Sequence, residues 1–370
     1  MEKNAPDQLN INFIDGPFVE IIDKNTRYYN VEFIDLKTGE VHHQTDLKSN
    51  HWTRANKKYY IDWKIRIRGL DTDFFYEHKM DFNNRRVLIG FESKSLGDTL
   101  AWIPYVEKFR IEHNCTVICS TFHNNLFKDQ YPNIEFVEPG STVKDIYALY
   151  RVGWFRKDNK VDFDKNKFDP KTEPLSKTAS DILGLDYVEL RPLLPVLSTE
   201  KKKVVSIGIH STAQSKYWNN PTGWQEIVDY LVLKGYEVKL VSKEEDGYMG
   251  NKHPKGITKV PSGSLENVIK ILQESELFIG VGSGLSWLAW AVGTETILIS
   301  GFSEPYCEPL NGIRRIINED VCHGCFNRHI LDAGDWNWCP DHKGTDRQFE
   351  CTKMITSDTV IEQINLALGL

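Results

Sequence analysis

Beyond Asn83, short apolar runs alternate with amphipathic stretches, and after a break the alternation starts again. This is the pattern of parallel α/β architecture, because parallel strands need a crossover segment and a helix is the usual one. In the first half, residues 86–91 read as a strand, a loop passes through Ser95-Leu-Gly-Asp98, and a helix runs from Thr99 to about His113. Residues 115–120 and 134–137 supply further strands. Arg191-Pro-Leu-Leu-Pro195 reads as a connection. The second half then gives strands at 203–209, 237–241, 277–280 and 296–299, with helices at 224–234, 265–272 and 286–292. Thr222 is a plausible cap for the first of these helices and Gly235 closes it. Two halves of similar grain predict an α/β chain of two Rossmann-like domains facing one cleft.

Residues 10–68 alternate with period two, as half-buried strands do, which predicts a small N-terminal antiparallel β module. The expected division is therefore residues 1–80 for that module, 81–198 for the first Rossmann-like domain and 199–370 for the second. A polar, Lys/Asp-rich stretch from 156 to 177 reads as an insertion. The 370 residues carry a formal net charge of −7, which opposes general attraction to nucleic acid or an anionic membrane surface. The longest uncharged run, 277–293, contains several Gly and Ser and reads as strand, loop and helix, so no transmembrane segment is expected. The N-terminal residues lack an apolar secretory region, which points to a cytoplasmic protein.

Four cysteines near the C-terminus have the spacing Cys322-x2-Cys325-x13-Cys339-x11-Cys351. A Cys-x-x-Cys pair sets two thiolates on one tight turn, and two more from later loops complete a tetrahedral cage for zinc or a single iron. The alternatives are two disulfides, which require an oxidising compartment, or four unrelated thiols. The expected metal segment is 320–352, and four protein thiolates leave no open coordination position, which makes the site structural. Cys115, Cys119 and Cys307 stand apart from the cluster, and the first two lie in an apolar run as buried thiols.

Three further motifs sit where parallel strands end. Gly280-Val-Gly-Ser-Gly-Leu-Ser286 joins a strand to a helix, and small residues there let backbone N–H groups approach phosphate oxygens; a plain tight connection would look the same. In the loop His210–Trp218, Lys216 is placed to neutralise a diphosphate, Ser211, Thr212 and Gln214 to donate hydrogen bonds, and Trp218 to stack on a flat ring. The alternative is a solvated surface loop. Asp98 opens the first α/β helix, as a cap or as a general base. Trp287 and Trp290, three apart on the last helix, fit core packing.

Ser95-Leu-Gly-Asp98-Thr-Leu-Ala-Trp-Ile-Pro104, Ser211-Thr-Ala-Gln-Ser-Lys-Tyr-Trp-Asn-Asn-Pro221, Gly282-Ser-Gly-Leu-Ser-Trp287 and the cysteine cluster, in that order, resemble the bacterial autotransporter heptosyltransferase family, glycosyltransferases related to the lipopolysaccharide heptosyltransferases. The resemblance implies a GT-B fold with the nucleotide sugar in the cleft, held mainly by the second domain. It implies an ADP-activated heptose donor and transfer to Ser or Thr hydroxyls of an autotransporter-type protein. Asp98 matches the catalytic aspartate and Lys216 the lysine facing the donor phosphates. The donor contacts implied are Gln214, Lys216, Trp218, Gly282, Ser283, Gly284, Leu285, Ser286 and Trp287. Cys322, Cys325, Cys339 and Cys351 match a structural iron site, with zinc as the other metal that four thiolates accept. Assembly of identical subunits into large rings is also implied. No divalent metal is expected in catalysis, since Lys216 and the turn amides would take the leaving diphosphate's charge.

Two other readings compete. One is a GT-B transferase acting on a glycan or lipid; the other is an FeS4 redox protein with nicotinamide- or flavin-binding domains. Against the second, Ser93-Lys-Ser-Leu-Gly-Asp98 offers one glycine where a dinucleotide fold has Gly-x-Gly-x-x-Gly. A metal-stapled assembly protein without chemistry is a third.

Overall fold

The structure, a computed structural model, describes residues 4–261, 263–330 and 337–370. Residues 331–336 of the expected metal segment and the first three of the expected β module lie outside the described residues. The chain forms two compact units. The first comprises residues 1–94, 102–169 and 177–188, and the second residues 95–101, 170–176 and 189–370.

In the first unit, the opening strands are β1 (Gln8–Ile14), β2 (Phe18–Ile22), β3 (Tyr28–Asp35), β4 (Val41–Lys48), β5 (His51–Arg54), β6 (Trp63–Gly69) and β7 (Phe75–Lys79). Four of them form an antiparallel sheet in the order β4-β3-β6-β7. Its inner face follows from period-two alternation: Tyr29, Val31 and Phe33 on β3 and Trp63, Ile65 and Ile67 on β6 are each at most 2% exposed. On the other face Arg66 reaches Glu32 at 3.1 Å and Glu77 at 2.8 Å, joining three neighbouring strands by charge.

The remaining elements are β8 (Arg86–Phe91), α1 (Leu96–His113), β9 (Thr116–Ser120), α2 (Asn124–Phe127), β10 (Ile134–Val137), β11 (Ala148–Val152), the small hairpin β12 (Arg156–Lys157) and β13 (Lys160–Val161), and α3 (Lys177–Leu183). A second sheet of the unit runs β10-β9-β8-β11-β1-β2-β5. Its first four strands are parallel neighbours, and β1 continues them, with Phe13 opposite Ala148. The N-terminal strands are thus divided between two sheets. Alternation shows that a strand has one buried face but not which sheet it joins. The last strand of the alternating stretch 10–68 starts at Trp63, because Tyr60 turns aside: its N–H donates to the Ile182 carbonyl at 2.8 Å and its ring covers Gly184. The polar stretch 156–177 contains the β12–β13 hairpin, and its residues 170–176 belong to the second unit.

The second unit contains β14 (Lys202–Gly208), α4 (Gly223–Leu233), β15 (Glu237–Leu240), β16 (Ile257–Lys259), α5 (Leu265–Glu274), β17 (Ser275–Val281), α6 (Gly284–Ala291), β18 (Glu295–Ile299), β19 (Arg314–Ile316), α7 (Cys325–Arg328), α8 (Glu350–Lys353) and α9 (Ser357–Leu368). The sheet is wholly parallel, in the order β16-β15-β14-β17-β18-β19. Near-continuous apolar strands fit such a sheet, and Val205, Ile207, Leu277, Ile279, Val281, Ile297 and Ile299 pack with Ile227, Val228 and Leu231 of α4 and Val360 and Ile364 of α9. Capping of α4 differs from the expectation: Asn220 Oδ1 accepts from the N–H groups of Thr222 (3.1 Å) and Gly223 (3.0 Å), while Thr222 makes no side-chain cap bond. Strand order reverses between β14 and β17, so the loops leaving those two strands lie where such sheets bind ligands. Among the described residues no helix is long and apolar enough to cross a membrane.

Ile364 is fully buried between α9 and the sheet. Ile364→Ala should cost about 2–5 kcal/mol in urea unfolding; a loss below about 0.5 kcal/mol would remove α9 from the core.

Candidate functional site

The loop after β14 and the turn after β17 are tied together. Ser211 Oγ donates to the Gly282 carbonyl at 2.9 Å, and Tyr217 Oη donates back to the Ser211 carbonyl at 3.1 Å. Gly280 is required by space: a methyl group there would lie 2.5 Å from Phe278 and 3.0 Å from Ser286 Oγ. Ser286 Oγ donates to the Val281 carbonyl at 2.6 Å, which folds the turn back on its strand. Ser283 occupies the N-cap of α6 with extended backbone, yet its buried hydroxyl makes no capping bond and has no hydrogen-bond partner. The first-turn N–H groups of α6 therefore keep the positive end of the helix dipole undiluted by a side-chain acceptor.

Against this turn lies the start of α1, which belongs to the same compact unit. A methyl on Gly284 would sit 3.2 Å from Leu96 Cβ and 3.4 Å from the Gly97 nitrogen, and one on Gly97 would sit 3.1 Å from Trp287 Cδ1. The cap of α1 is Ser95: its Oγ accepts from Asp98 N–H at 3.5 Å, and its carbonyl accepts from Thr99 N–H at 3.2 Å. Asp98 thus stands inside the first helical turn, and capping is done by another residue.

Lys216 ends the short 3₁₀ turn Gln214–Lys216. Burial lowers its pKa, and the negative groups that oppose the shift are Glu308 first, then Asp98 and Cys307. Its Nζ lies 5.9 Å from the centre of the Phe302 ring. Motif reading missed Glu308, which comes from the loop after β18 and is only 8% exposed. Its Oε1 accepts from Ser303 Oγ at 2.7 Å and lies 3.4 Å from where a side chain on Gly282 would begin, while its Oε2 is 3.7 Å from Arg315 Nη2. Burial raises its pKa, and Arg315, Ser303 and Lys216 hold it down. The sequence offers little notice of it beyond a carboxylate in the Cys307-Glu-Pro309 context after a strand's end.

The structure therefore brings Asp98, Lys216 and the 282–287 turn into one neighbourhood and adds Glu308. Gln214 is beside them, its Nε2 3.4 Å from the Met249 carbonyl. Leu285 reaches back to Gly208, and Trp287 is buried edge-on to Trp290 with ring centres 5.7 Å apart. Trp218 does not fit the ring-stacking expectation. It is 1% exposed, lies edge-on to Trp224 at 5.1 Å, covers Gly223 and donates Nε1–H to the Ile355 carbonyl at 3.0 Å. Its indole anchors the C-terminal segment to the loop. His210, at the same strand end, is pushed down to about 4 by burial, with His253 and Lys259 adding repulsion, so it is neutral near pH 7.

None of the seven cysteines is in a disulfide. The thiols of Cys322 and Cys325 and a carboxylate oxygen of Asp341 all lie within 4.8 Å of one another. Arg328 at 2.6 Å and His329 at 2.5 Å hold that carboxylate. Cys325, Cys339 and Cys351 are buried. Burial raises the thiol of Cys351 to about 12, and Cys322 and Cys339 add to the shift. Cys322 and Cys339 likewise raise Cys325 after burial and Asp341. Among the described residues, ligand atoms within 4.8 Å of one another come from Cys322, Cys325 and Asp341, and from Cys322, His342 and Glu350, while Cys339 and Cys351 belong to neither group; a bound cation would reverse the thiols' raised pKa values. This chemistry fits a thiolate-bound metal. Asp341 was not anticipated from the cysteine spacing.

Residues 163–327 match the model of glycosyltransferase family 9 (heptosyltransferase). The chain is 37% identical over 345 residues to the autotransporter heptosyltransferase Aah of Escherichia coli, spanning 90% of this chain and 87% of that one. It is similar in structure to TibC of enterotoxigenic E. coli H10407, an iron-containing dodecameric glycosyltransferase, with a TM-score of 0.87 at 32% identity over 98% of this chain and 96% of that one. TibC has also been crystallised with ADP-D-β-D-heptose. BimC of Burkholderia thailandensis, an inactive autotransporter heptosyltransferase, is 30% identical over 327 residues, 85% of this chain and 76% of that one. The fold is GT-B, as the motifs implied.

Close approach at Gly284 gives a direct check on the turn. Gly284→Ala must push Leu96 aside and should cost about 1–3 kcal/mol in thermal unfolding; an unchanged midpoint would contradict the packing described.

Proposed function

The chain belongs to the autotransporter heptosyltransferases of glycosyltransferase family 9, and from that premise we propose that it moves a heptose from an ADP-activated donor to Ser or Thr hydroxyls of an autotransporter-type protein. The observation that carries this reading is the convergence of Lys216, Glu308 and Asp98 on the glycine turn at the sheet's switch point. The complex of TibC with ADP-D-β-D-heptose supports the choice of donor. Membership in a group of glycosyltransferases sets the redox reading aside.

Asp98 takes the proton of the acceptor hydroxyl as its oxygen attacks the anomeric carbon, and the bond from that carbon to the diphosphate oxygen breaks. Lys216 and the first-turn amides of α6 receive the charge that collects on the leaving ADP. Gln214, Ser283 and the backbone of 282–286 line the donor's phosphate end, and Trp218 and Trp287 support that surface from behind. Cys322, Cys325, Cys339 and Cys351 hold a structural metal, for which iron is supported by the iron-containing relative TibC. Such a metal, when bound, supplies a cross-link between loops. A reducing compartment keeps those thiols available, which favours the cytoplasm. The dodecameric state of TibC supports assembly of this chain with copies of itself.

With ADP-heptose and a hydroxyl-bearing autotransporter passenger, intact-mass spectra should show acceptor heavier by whole heptosyl units. Asp98→Asn should lower turnover about 10²–10⁴-fold while ADP still binds; wild-type turnover would remove the base. Lys216→Ala should lower turnover about 10²–10³-fold and weaken ADP binding.

Lys216 also sets a pH dependence. Because its pKa is depressed, its charge is lost below the ordinary lysine range as pH rises. ADP affinity should therefore decline on the alkaline side, and calorimetry on Lys216→Ala should give a flatter profile. An identical decline in that variant would assign the titration to another group.

A further inference from the structure

We infer that the cysteine knuckle positions Lys216 through segment 301–308, and that Asn327 is the positioning residue at the junction. The knuckle and the segment run side by side: Gly324 N–H donates to the Gly301 carbonyl and Phe326 N–H to the Phe302 carbonyl, each at 2.9 Å. Asn327 adds contacts from its side chain. Its Oδ1 accepts from Glu304 N–H at 2.9 Å, and its Nδ2 lies 3.0 Å from Tyr306 Oη, 3.2 Å from Cys307 Sγ and 2.6 Å from the Lys171 carbonyl. Cys351 closes on Gly301 from another side, where a methyl group would meet its Cβ at 2.9 Å. Gly324 has a φ of +70°, and a side chain there would collide with Glu304, so the two backbones must pass closely.

The far end of the same segment faces the proposed donor site. Phe302 presents its ring to Lys216, and Ser303 holds Glu308, the first of the charges that answer Lys216. Hydrogen bonds thus run from the knuckle to segment 301–308, whose Phe302 and Glu308 stand beside the ammonium, with every residue involved in one compact unit. The segment 301–308 carries no strand pairing of its own, only a 3₁₀ turn at Pro305–Cys307. Its placement therefore rests on what it touches, and Asn327 touches it at Glu304, Tyr306 and Cys307. A shift of the knuckle moves Phe302 and Glu308 relative to Lys216, and misplacement of such a group by a fraction of an ångström changes how well it meets a diphosphate.

The inference rests on the reading of Lys216 as a donor-phosphate ligand, so the test separates the two. ADP affinity is measured by calorimetry for wild type, Lys216→Ala, Asn327→Ala and the double variant, with metal content and thermal midpoint recorded for each. Asn327→Ala should weaken ADP binding on the order of tenfold, with metal content and midpoint near wild type. In the double variant, binding should be no weaker than in Lys216→Ala alone, because a residue acting through Lys216 has nothing further to lose. Fully additive losses, or wild-type affinity in Asn327→Ala, would overturn the coupling while leaving the donor site standing. If Lys216→Ala binds ADP normally, the donor-site reading falls and the inference falls with it. Should Asn327→Ala not fold, Phe302→Leu enters the same cycle with the same expected outcomes. Protein stripped of metal by a chelator but still folded should show the same loss of affinity, and full affinity in that state would break the link at the metal.

Discussion

A half-buried lysine at the end of a parallel sheet, its pKa lowered by desolvation, must be answered by charge, and the neighbourhood of Lys216 is arranged around that demand. Removing a charged group from water costs several kcal/mol even after relaxation, and more than one acidic group answers that cost here. Glu308 is the largest contributor and Asp98 the second, while Ser303 donates to Glu308 Oε1 and Arg315 stands 3.7 Å from its Oε2. The four charged side chains sum to zero. Three separate elements contribute to this balance: the loop after β14 supplies Lys216, the loop after β18 supplies Glu308, and the first turn of α1 supplies Asp98. An anion entering beside Lys216 finds a cation already desolvated and aimed, so little reorganisation remains to be done when charge develops on it.

The parts of this site that were legible in the sequence are those whose function is written in local spacing. A glycine turn after an apolar strand, a lysine eight residues beyond the strand before it, and an aspartate opening a helix all declare themselves within about ten residues. Glu308 does not. Its neighbours are set by the pairing of β18 with β17 and β19, which nothing in the Cys307-Glu-Pro context specifies. Trp218 shows the opposite failure: an indole in a polar loop signals large apolar area, but residue type does not say whether that area faces a ligand or the core. Here the core wins, because Gly223 leaves a surface for the ring and Ile355 offers its carbonyl to the indole N–H. The fold divides similarly. The parallel strands β8, β9, β10, β14, β15, β17 and β18 followed from the alternation of strand and helix, whereas the short β11, β16 and β19 did not, and the splitting of β1, β2 and β5 away from β3, β4, β6 and β7 depends on long-range pairing with β11.

The cysteine cluster changes meaning once its neighbours are known. Spacing alone makes it a closed, structural cage, remote from chemistry by type. The contacts place two of its four members, Cys325 through its adjoining backbone and Cys351 through its Cβ, against the single segment that begins at Gly301. Glycines at 301 and 324 are what allow this proximity, since side chains at either would meet Cys351 or Glu304. Structural and chemical roles then cease to be alternatives: a cross-link that fixes a loop also fixes whatever that loop presents.

The reason for fixing that particular loop lies in what it holds. Strands secure their own geometry by pairing, and helices by internal hydrogen bonds; segment 301–308 has little of either, yet it carries the carboxylate on which a half-buried lysine depends. Ordering such a segment costs about 1–2 kcal/mol per residue in backbone entropy, and the hydrophobic core of β14, β17 and β18 stops at Ile299, short of it. On the proposed reading, a metal held by Cys322, Cys325, Cys339 and Cys351 would supply the missing constraint. Between Cys325 and segment 301–308 the constraint is transmitted by short, directional contacts, chiefly those of Asn327, and on the proposed reading this is why an amide side chain two residues beyond Cys325 bears on the placement of an ammonium in another loop.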